Sequence, residues 1–106
     1  MSRREKIEAM LADDPGDTFL RYSLAMELRS EGKTEESLAC LNELMAENPP
    51  CVPAFFMAAQ QFVEMDELDS ARERLRVGID QARAQGDSHA AAEMSDYLAT
   101  LGSAEL

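Results

Sequence analysis

The chain has few of the residues from which membrane spans, metal sites and disulfide frameworks are usually built. It contains no tryptophan, one histidine, two cysteines and five glycines among 106 residues. No apolar run approaches the ~20 residues needed to cross a bilayer. Residues 1–10 are charged and lack the apolar segment of a secretory signal. We therefore expect a cytoplasmic protein without a transmembrane segment.

The cysteines and the histidine do not form a recognisable site. Cys40 and Cys51 have neither CxxC spacing nor a neighbouring histidine, so a zinc site is not predicted. Reduced thiols are the simpler interpretation in a cytosolic chain, and a Cys40–Cys51 disulfide is the alternative. His89 lies beside Ser88 and Asp87 without the partners of a general base, so we expect a solvated surface residue. We predict no catalytic residue, no metal and no cofactor.

The charge balance argues against polyanionic partners. Ten lysines and arginines stand against 21 aspartates and glutamates, which gives a net charge of -11. Such a chain repels nucleic acids and acidic membrane surfaces. We predict neither as a partner, and an apolar or basic ligand suits the chain better.

The residues that are abundant favour helix. Alanine, leucine, methionine, glutamate, arginine and glutamine dominate, whereas β-branched residues are few. The length suits one small domain with a single modest core. An all-α fold is therefore predicted.

The sequence contains an internal repeat. Residues 18–49 can be laid over residues 52–83, and the same interval separates Pro15 from Pro49. Small residues then fall on small ones and large apolar residues on large apolar ones. The matched pairs include Ala25 with Ala59, Leu28 with Phe62, Ser37 with Ala71 and Leu41 with Leu75.

Capping residues and glycines mark the ends of the predicted helices. Aspartate, serine and threonine accept hydrogen bonds from first-turn amides, whereas glycine takes the left-handed conformation after a last turn. The predicted N-caps are Asp17, Thr34, Asp66 and either Asp87 or Ser88, and the predicted ends are Gly32, Asn48-Pro49-Pro50, Gly86 and Gly102.

This pattern resembles the tetratricopeptide repeat, whose 34-residue unit carries W-x2-L-G-x2-Y, then A-x3-F, then P. The Trp and Tyr of the signature are missing from the first copy, and the Pro from the second. The resemblance implies antiparallel helix pairs stacked as a short right-handed superhelix of about six helices; the alternative is an unrelated bundle. The signature positions are Arg21, Leu24, Ala25, Leu28, Ser37, Leu41 and Pro49 in the first copy, and Phe55, Ala58, Ala59, Phe62, Ala71, Leu75 and Arg83 in the second.

The resemblance implies one domain over residues 1–106. Its predicted parts are a half-repeat or capping helix (1–15), repeat 1 (16–49), repeat 2 (50–83) and a C-terminal capping helix (87–102). Two full repeats are fewer than the three that such arrays usually need. The end helices or a second chain must therefore supply additional core.

The first helix of each pair lines a concave groove in the resembled family. The implied groove residues are Phe19, Tyr22, Met26, Arg29 and Ser30 in the first copy, and Pro53, Phe56, Gln60, Val63 and Glu64 in the second. In the first copy, helical periodicity also places Phe19, Tyr22 and Met26 together, away from the face formed by Leu20, Leu24 and Leu28.

Two interpretations of this second apolar face remain open. Neighbouring helices could cover Phe19, Tyr22 and Met26, or these side chains could accept a peptide or an amphipathic helix of a partner. We therefore predict a non-catalytic protein-interaction module. Homo-oligomerisation through the same residues is the alternative, and an enzyme using His89 is the least supported. The family's carboxylate clamp is not supported, because Tyr22, Met26 and Met57 occupy positions that would need lysine and asparagine.

Overall fold

The computed structural model describes residues 2–102, and the described chain is all-α. No strand occurs in these residues, and each helix is followed by a turn or a short loop. The predicted all-α fold of about six helices is therefore confirmed. The helices are α1 (Arg3–Asp13), α2 (Thr18–Ser30), α3 (Thr34–Met45), α4 (Val52–Glu64), α5 (Leu68–Ala84) and α6 (Ser88–Thr100).

The helices belong to two compact units, Met1–Cys51 and Val52–Leu106. In the first unit α2 packs against both α1 and α3, and in the second unit α5 packs against both α4 and α6. Residues 31–33 join α2 to α3, and residues 65–67 join α4 to α5. Connections this short make each pair antiparallel, as predicted. The division into repeats of a single domain stays a prediction.

Each unit has its own buried side chains, and several repeat-equivalent positions are buried in both units. Leu41 and Leu75 are fully buried, as are the small residues Ser37 and Ala71 at another matched position. The Ser37 hydroxyl donates a hydrogen bond to the Ala25 carbonyl oxygen at 2.7 Å, which ties α3 to α2. Small residues at these positions allow the paired helices to approach closely.

The same backbone turn ends α2, α4 and α5. The residue after each C-cap is left-handed, with φ of 78° at Gly32, 60° at Asp66 and 76° at Gly86. The next amide then donates to a carbonyl five residues earlier, which is the Schellman arrangement. These bonds are Lys33 N to Leu28 O at 2.9 Å, Glu67 N to Phe62 O at 2.8 Å and Asp87 N to Ala82 O at 2.8 Å.

Two of the predicted N-caps are confirmed. The Asp17 carboxylate accepts from the Leu20 amide at 2.9 Å, and the Asp87 carboxylate accepts from the Ala90 amide at 3.1 Å. Gly102 follows α6 with φ of 74°, as expected for its end.

The predictions for Thr34 and Asp66 are wrong. Thr34 is the first residue of α3, and Lys33 precedes it as an N-cap without a side-chain bond. Asp66 occupies the left-handed position after α4, and Glu67 is the N-cap of α5. The turn between the paired helices needs a left-handed residue, and aspartate tolerates that conformation better than most side chains.

Asp66→Gly is expected to raise the free energy of unfolding by about 0.5–1 kcal/mol, because glycine takes the left-handed conformation without strain. Asp66→Ala should lower it by a similar amount. Urea denaturation measures both changes. Asp66→Asn is the control for charge, since an aspartate near the negative end of α4 is itself unfavourable. If Asp66→Ala were as stable as Asp66→Gly, backbone conformation would not be the source of the gain.

Candidate functional site

The predicted apolar residues of α2 lie beside α1 in a surface pocket of about 220 Å³, here called the α1–α2 pocket. Phe19, Tyr22 and Met26 are three and four residues apart, so α2 presents them on one side. The pocket belongs entirely to the first unit. Its lining residues are Arg3, Ile7, Phe19, Tyr22, Ser23, Met26 and Glu27.

Two of these side chains are unusually exposed for apolar residues. Phe19 is 75% exposed and Met26 is 48% exposed, while Tyr22 is half-buried. Met10, on α1, is 49% exposed. Adjacent exposed apolar side chains are typical of surfaces that bind a partner. Their role as partner contacts stays a prediction.

Helix α1 is attached to α2 by one buried side chain and by ion pairs. Among the residues of α1, only Ile7 is buried. Arg3 lies 2.9 Å from Glu27, and Arg4 lies 2.8 Å from Glu31. The hydrogen bond from Arg4 to Glu31, with the attraction between their charges, raises the Arg4 pKa. Ion pairs as exposed as these add little stability.

A capping box begins α1. The Ser2 hydroxyl accepts from the Glu5 amide at 3.1 Å, and the Glu5 carboxylate accepts from the Ser2 amide at 2.9 Å. The bond from the Ser2 amide, with hydrogen bonding by the Ser2 hydroxyl, stabilises the Glu5 carboxylate and lowers its pKa. The spacing Ser2-x-x-Glu5 is a sequence signal for this helix start. It places Arg3 in the first turn, where its side chain reaches the pocket rim.

Tyr22 keeps its phenol neutral in the pocket. Burial raises its pKa, the nearby Cys51 raises it further, and Arg29 lowers it. A neutral phenol can both donate and accept a hydrogen bond. Tyr22 therefore combines an apolar ring with a polar tip that a bound segment could use.

The other predicted groove residues differ in how far they are exposed. Arg29 is half-buried on α2, one helical turn beyond Met26. In the second unit, Gln60 and Val63 are half-buried on α4, while Glu64 is exposed.

A neighbouring aromatic ring partly covers Phe56 of α4. Its ring packs on that of Tyr97 from α6, with centroids 5.3 Å apart and planes inclined at 41°. The last helix therefore contacts part of the predicted groove face of the second unit.

The remaining candidates from the sequence are His89 and the two cysteines. His89 is exposed, with its Nε2 atom 3.4 Å from Glu93. In the described part of the chain, Cys40 and Cys51 are half-buried and form no disulfide, and burial raises the pKa of the Cys40 thiol. Within residues 2–102, no three histidine, cysteine or acidic side chains are grouped closely enough to hold a metal. None of the described helices is long and apolar enough to span a membrane.

A second surface cavity, of about 330 Å³, lies on α5 and α6. Small residues of α6 form much of its wall, with one charged side chain from each helix. The lining residues are Arg83, Ser88, Ala91, Ala92, Ser95 and Asp96.

Comparison with known proteins gives a structural likeness without a family. No protein-family model matches the chain, and no curated protein matches it significantly in sequence. The chain is similar to protein BPP2914 from Bordetella parapertussis, known from a solution structure, with a TM-score of 0.80 and 22% sequence identity. The alignment covers 95% of this chain and 88% of that one. At this identity the likeness shows the fold alone.

Proposed function

We propose that the chain is a non-catalytic protein-interaction module of the tetratricopeptide type. It binds a peptide or helix of a partner protein through Phe19, Tyr22 and Met26. The observation that carries the proposal is the exposure of Phe19 and Met26 beside a preformed pocket. Aromatic and methionine side chains in such positions are common anchors of adaptable binding surfaces.

The tetratricopeptide assignment is supported by the spacing of the helices. Helices α2 and α4 start at Thr18 and Val52, and α3 and α5 start at Thr34 and Leu68. Both intervals equal the interval between the two copies in the sequence. The turn within each pair is the same Schellman turn. Equivalent turns, burial and spacing are expected when two copies of one structural unit follow each other.

Phe19→Ser with Met26→Ser is expected to abolish capture of the partner in an affinity pull-down from native lysate, read by mass spectrometry. The control is Met65→Ser, which removes another exposed methionine, 43% exposed, from outside the pocket. A protein retained by the wild type and the control but lost by the double variant supports the proposal. Equal loss in both variants, or a melting temperature that falls by more than about 5 °C in the double variant, would contradict it.

Self-assembly through the same pocket is the alternative function. Light scattering at several concentrations separates the two, since a chain that stays monomeric excludes self-assembly. If the wild type formed a dimer and the Phe19→Ser, Met26→Ser variant did not, the pocket would bind a second copy of the chain instead of another protein.

A further inference from the structure

The end of α1 carries two carboxylates that do not stabilise the helix. Asp13 is its last residue and Asp14 its C-cap, and no basic residue lies in the last turn. The exposed carbonyls of a helix C-terminus favour cations and disfavour carboxylates. Asp17 differs from both, because its carboxylate caps α2. Asp13 and Asp14 therefore go against the preference of a helix C-terminus for cations. Positions that break such a local preference are often functional.

Asp13 and Asp14 lie at the end of α1 that the chain joins to α2, outside the residues that line the α1–α2 pocket. Residues 14–17 reverse the chain, and the Asp17 amide donates to the Asp14 carbonyl at 3.2 Å. This turn brings the end of α1 beside the first turn of α2, which holds the exposed Phe19. Within residues 2–102, neither the Asp13 nor the Asp14 carboxylate forms an ion pair. The two carboxylates therefore belong to the same end of the α1–α2 pair as the exposed Phe19.

Two arginines at the start of α1 already have carboxylate partners. Arg3 is paired with Glu27 at 2.9 Å, and Arg4 with Glu31 at 2.8 Å. A bound segment consequently meets paired charges at one end and two carboxylates at the other. In a chain of net charge -11, the complementary ligand is cationic.

The shape of the apolar surface fits two turns of a helix. Phe19 and Met26 are seven residues apart, which corresponds to about 10 Å along the axis of α2. An amphipathic helix presents apolar side chains at i, i+3 or i+4, and i+7 over the same length. An apolar stripe of this kind would contact Phe19, Tyr22 and Met26 together.

We infer that the occupant of the α1–α2 pocket is a cationic amphipathic helix of a partner protein. Its apolar face packs on Phe19, Tyr22 and Met26, and its lysine or arginine side chains lie against Asp13 and Asp14. The inference rests on the proposed function and adds the chemistry of the partner.

Two synthetic peptides of about 14 residues test the inference, because this length allows four helical turns. Both carry the same leucine and phenylalanine face; one has lysine at the other positions and the second has glutamate. Fluorescence anisotropy measures binding to the whole chain at physiological salt. We expect the glutamate peptide to bind at least 10-fold more weakly. Asp13→Asn with Asp14→Asn should weaken the lysine peptide about 5-fold or more, and Phe19→Ser with Met26→Ser at least 10-fold.

Glu35→Gln with Glu36→Gln is the matched control. These residues are exposed in the first turn of α3 and do not line the pocket, so the variant removes the same charge from the same unit. We expect its affinity for the lysine peptide to stay within 2-fold of the wild type. Equal weakening by both charge variants would mean that only net charge attracts the peptide, and would overturn the inference. Circular dichroism establishes that each variant is folded.

The remaining outcomes separate the inference from the proposed function. If both peptides bound equally and both needed Phe19 and Met26, the cationic preference would be wrong and the interaction module would stand. If the lysine peptide bound regardless of Phe19 and Met26, neither would stand. Binding of neither peptide would overturn the inference, and the pull-down would then decide the proposed function by itself.

Discussion

Gly78→Ala is expected to lower the free energy of unfolding by about 1–2 kcal/mol, although alanine is the better helix former. Gly78 lies within α5, and a Cβ atom there would be 2.6 Å from the Phe55 Cβ and 2.7 Å from the Met94 Sδ. Overpacking costs about 1–3 kcal/mol, and contacts this short belong to the upper part of that range, about 2–3 kcal/mol. The ~1 kcal/mol that alanine gains in helix propensity offsets only part of this cost. Gly78→Val, with two more carbons, should cost over ~3 kcal/mol. Urea denaturation measures both.

Gly16→Ala is the control for Gly78→Ala. No heavy atom lies within 4 Å of a Cβ built at Gly16, and its φ is not in the left-handed region. Alanine there should be neutral or stabilise the chain by up to ~1 kcal/mol, because it restricts the unfolded chain. A Gly78→Ala variant as stable as Gly16→Ala would show that α4, α5 and α6 do not converge at Gly78.

Comparison of the two copies explains why Gly78 is needed. The alignment of the copies places Phe55 at the position of Arg21, and Gly78 at the position of Leu44. The first copy combines the Arg21 side chain, which forms an ion pair with Glu47, with a buried leucine. The second copy combines a buried phenylalanine with no side chain at Gly78. The ring of Phe55 thus takes space that the first copy gives to Leu44.

The sequence predicts the helices well where their ends depend on local chemistry. Asp17 and Asp87 cap α2 and α6 as predicted, because a carboxylate three residues before an amide needs only the first helical turn to reach it. Gly86 ends α5 because glycine readily takes the left-handed conformation that follows a last helical turn. Asp66 was mistaken for an N-cap because aspartate favours both roles. Its repeat equivalence with Gly32 indicates the left-handed position that it takes.

The candidate site was only partly predictable. Periodicity groups Phe19, Tyr22 and Met26 on one side of α2, since this grouping depends on helical geometry alone. The part that α1 takes in the pocket depends on how α1 packs on α2, and Ile7 is its single buried residue. The repeat period does not encode that packing. The contact between Phe56 and Tyr97 was missed for the same reason, because α6 is not a copy of either earlier pair.

Leu41→Ala and Leu75→Ala are each expected to lower the free energy of unfolding by about 2–5 kcal/mol. Both side chains are fully buried, Leu41 in α3 and Leu75 in α5. Losses of this size are a large part of the ~5–15 kcal/mol that stabilises a typical domain. Because the two residues occupy the same position in the two copies, their losses should agree within about 1 kcal/mol, less than the spread seen among unrelated buried leucines. The midpoint and slope of urea denaturation give the free energy of unfolding of each variant.

Leu38→Ala is the control, since it removes the same atoms from α3 at a half-buried position. It leaves a smaller cavity and should cost less than Leu41→Ala. Leu41→Met and Leu75→Met nearly conserve volume and should each cost under ~1.5 kcal/mol. If Leu38→Ala cost as much as Leu41→Ala, burial would not determine the loss. If Leu41→Ala and Leu75→Ala differed by more than about 2 kcal/mol, as unrelated buried leucines do, sequence equivalence would not mean equivalent packing. The assignment of the pairs α2–α3 and α4–α5 to one repeating unit would then be wrong.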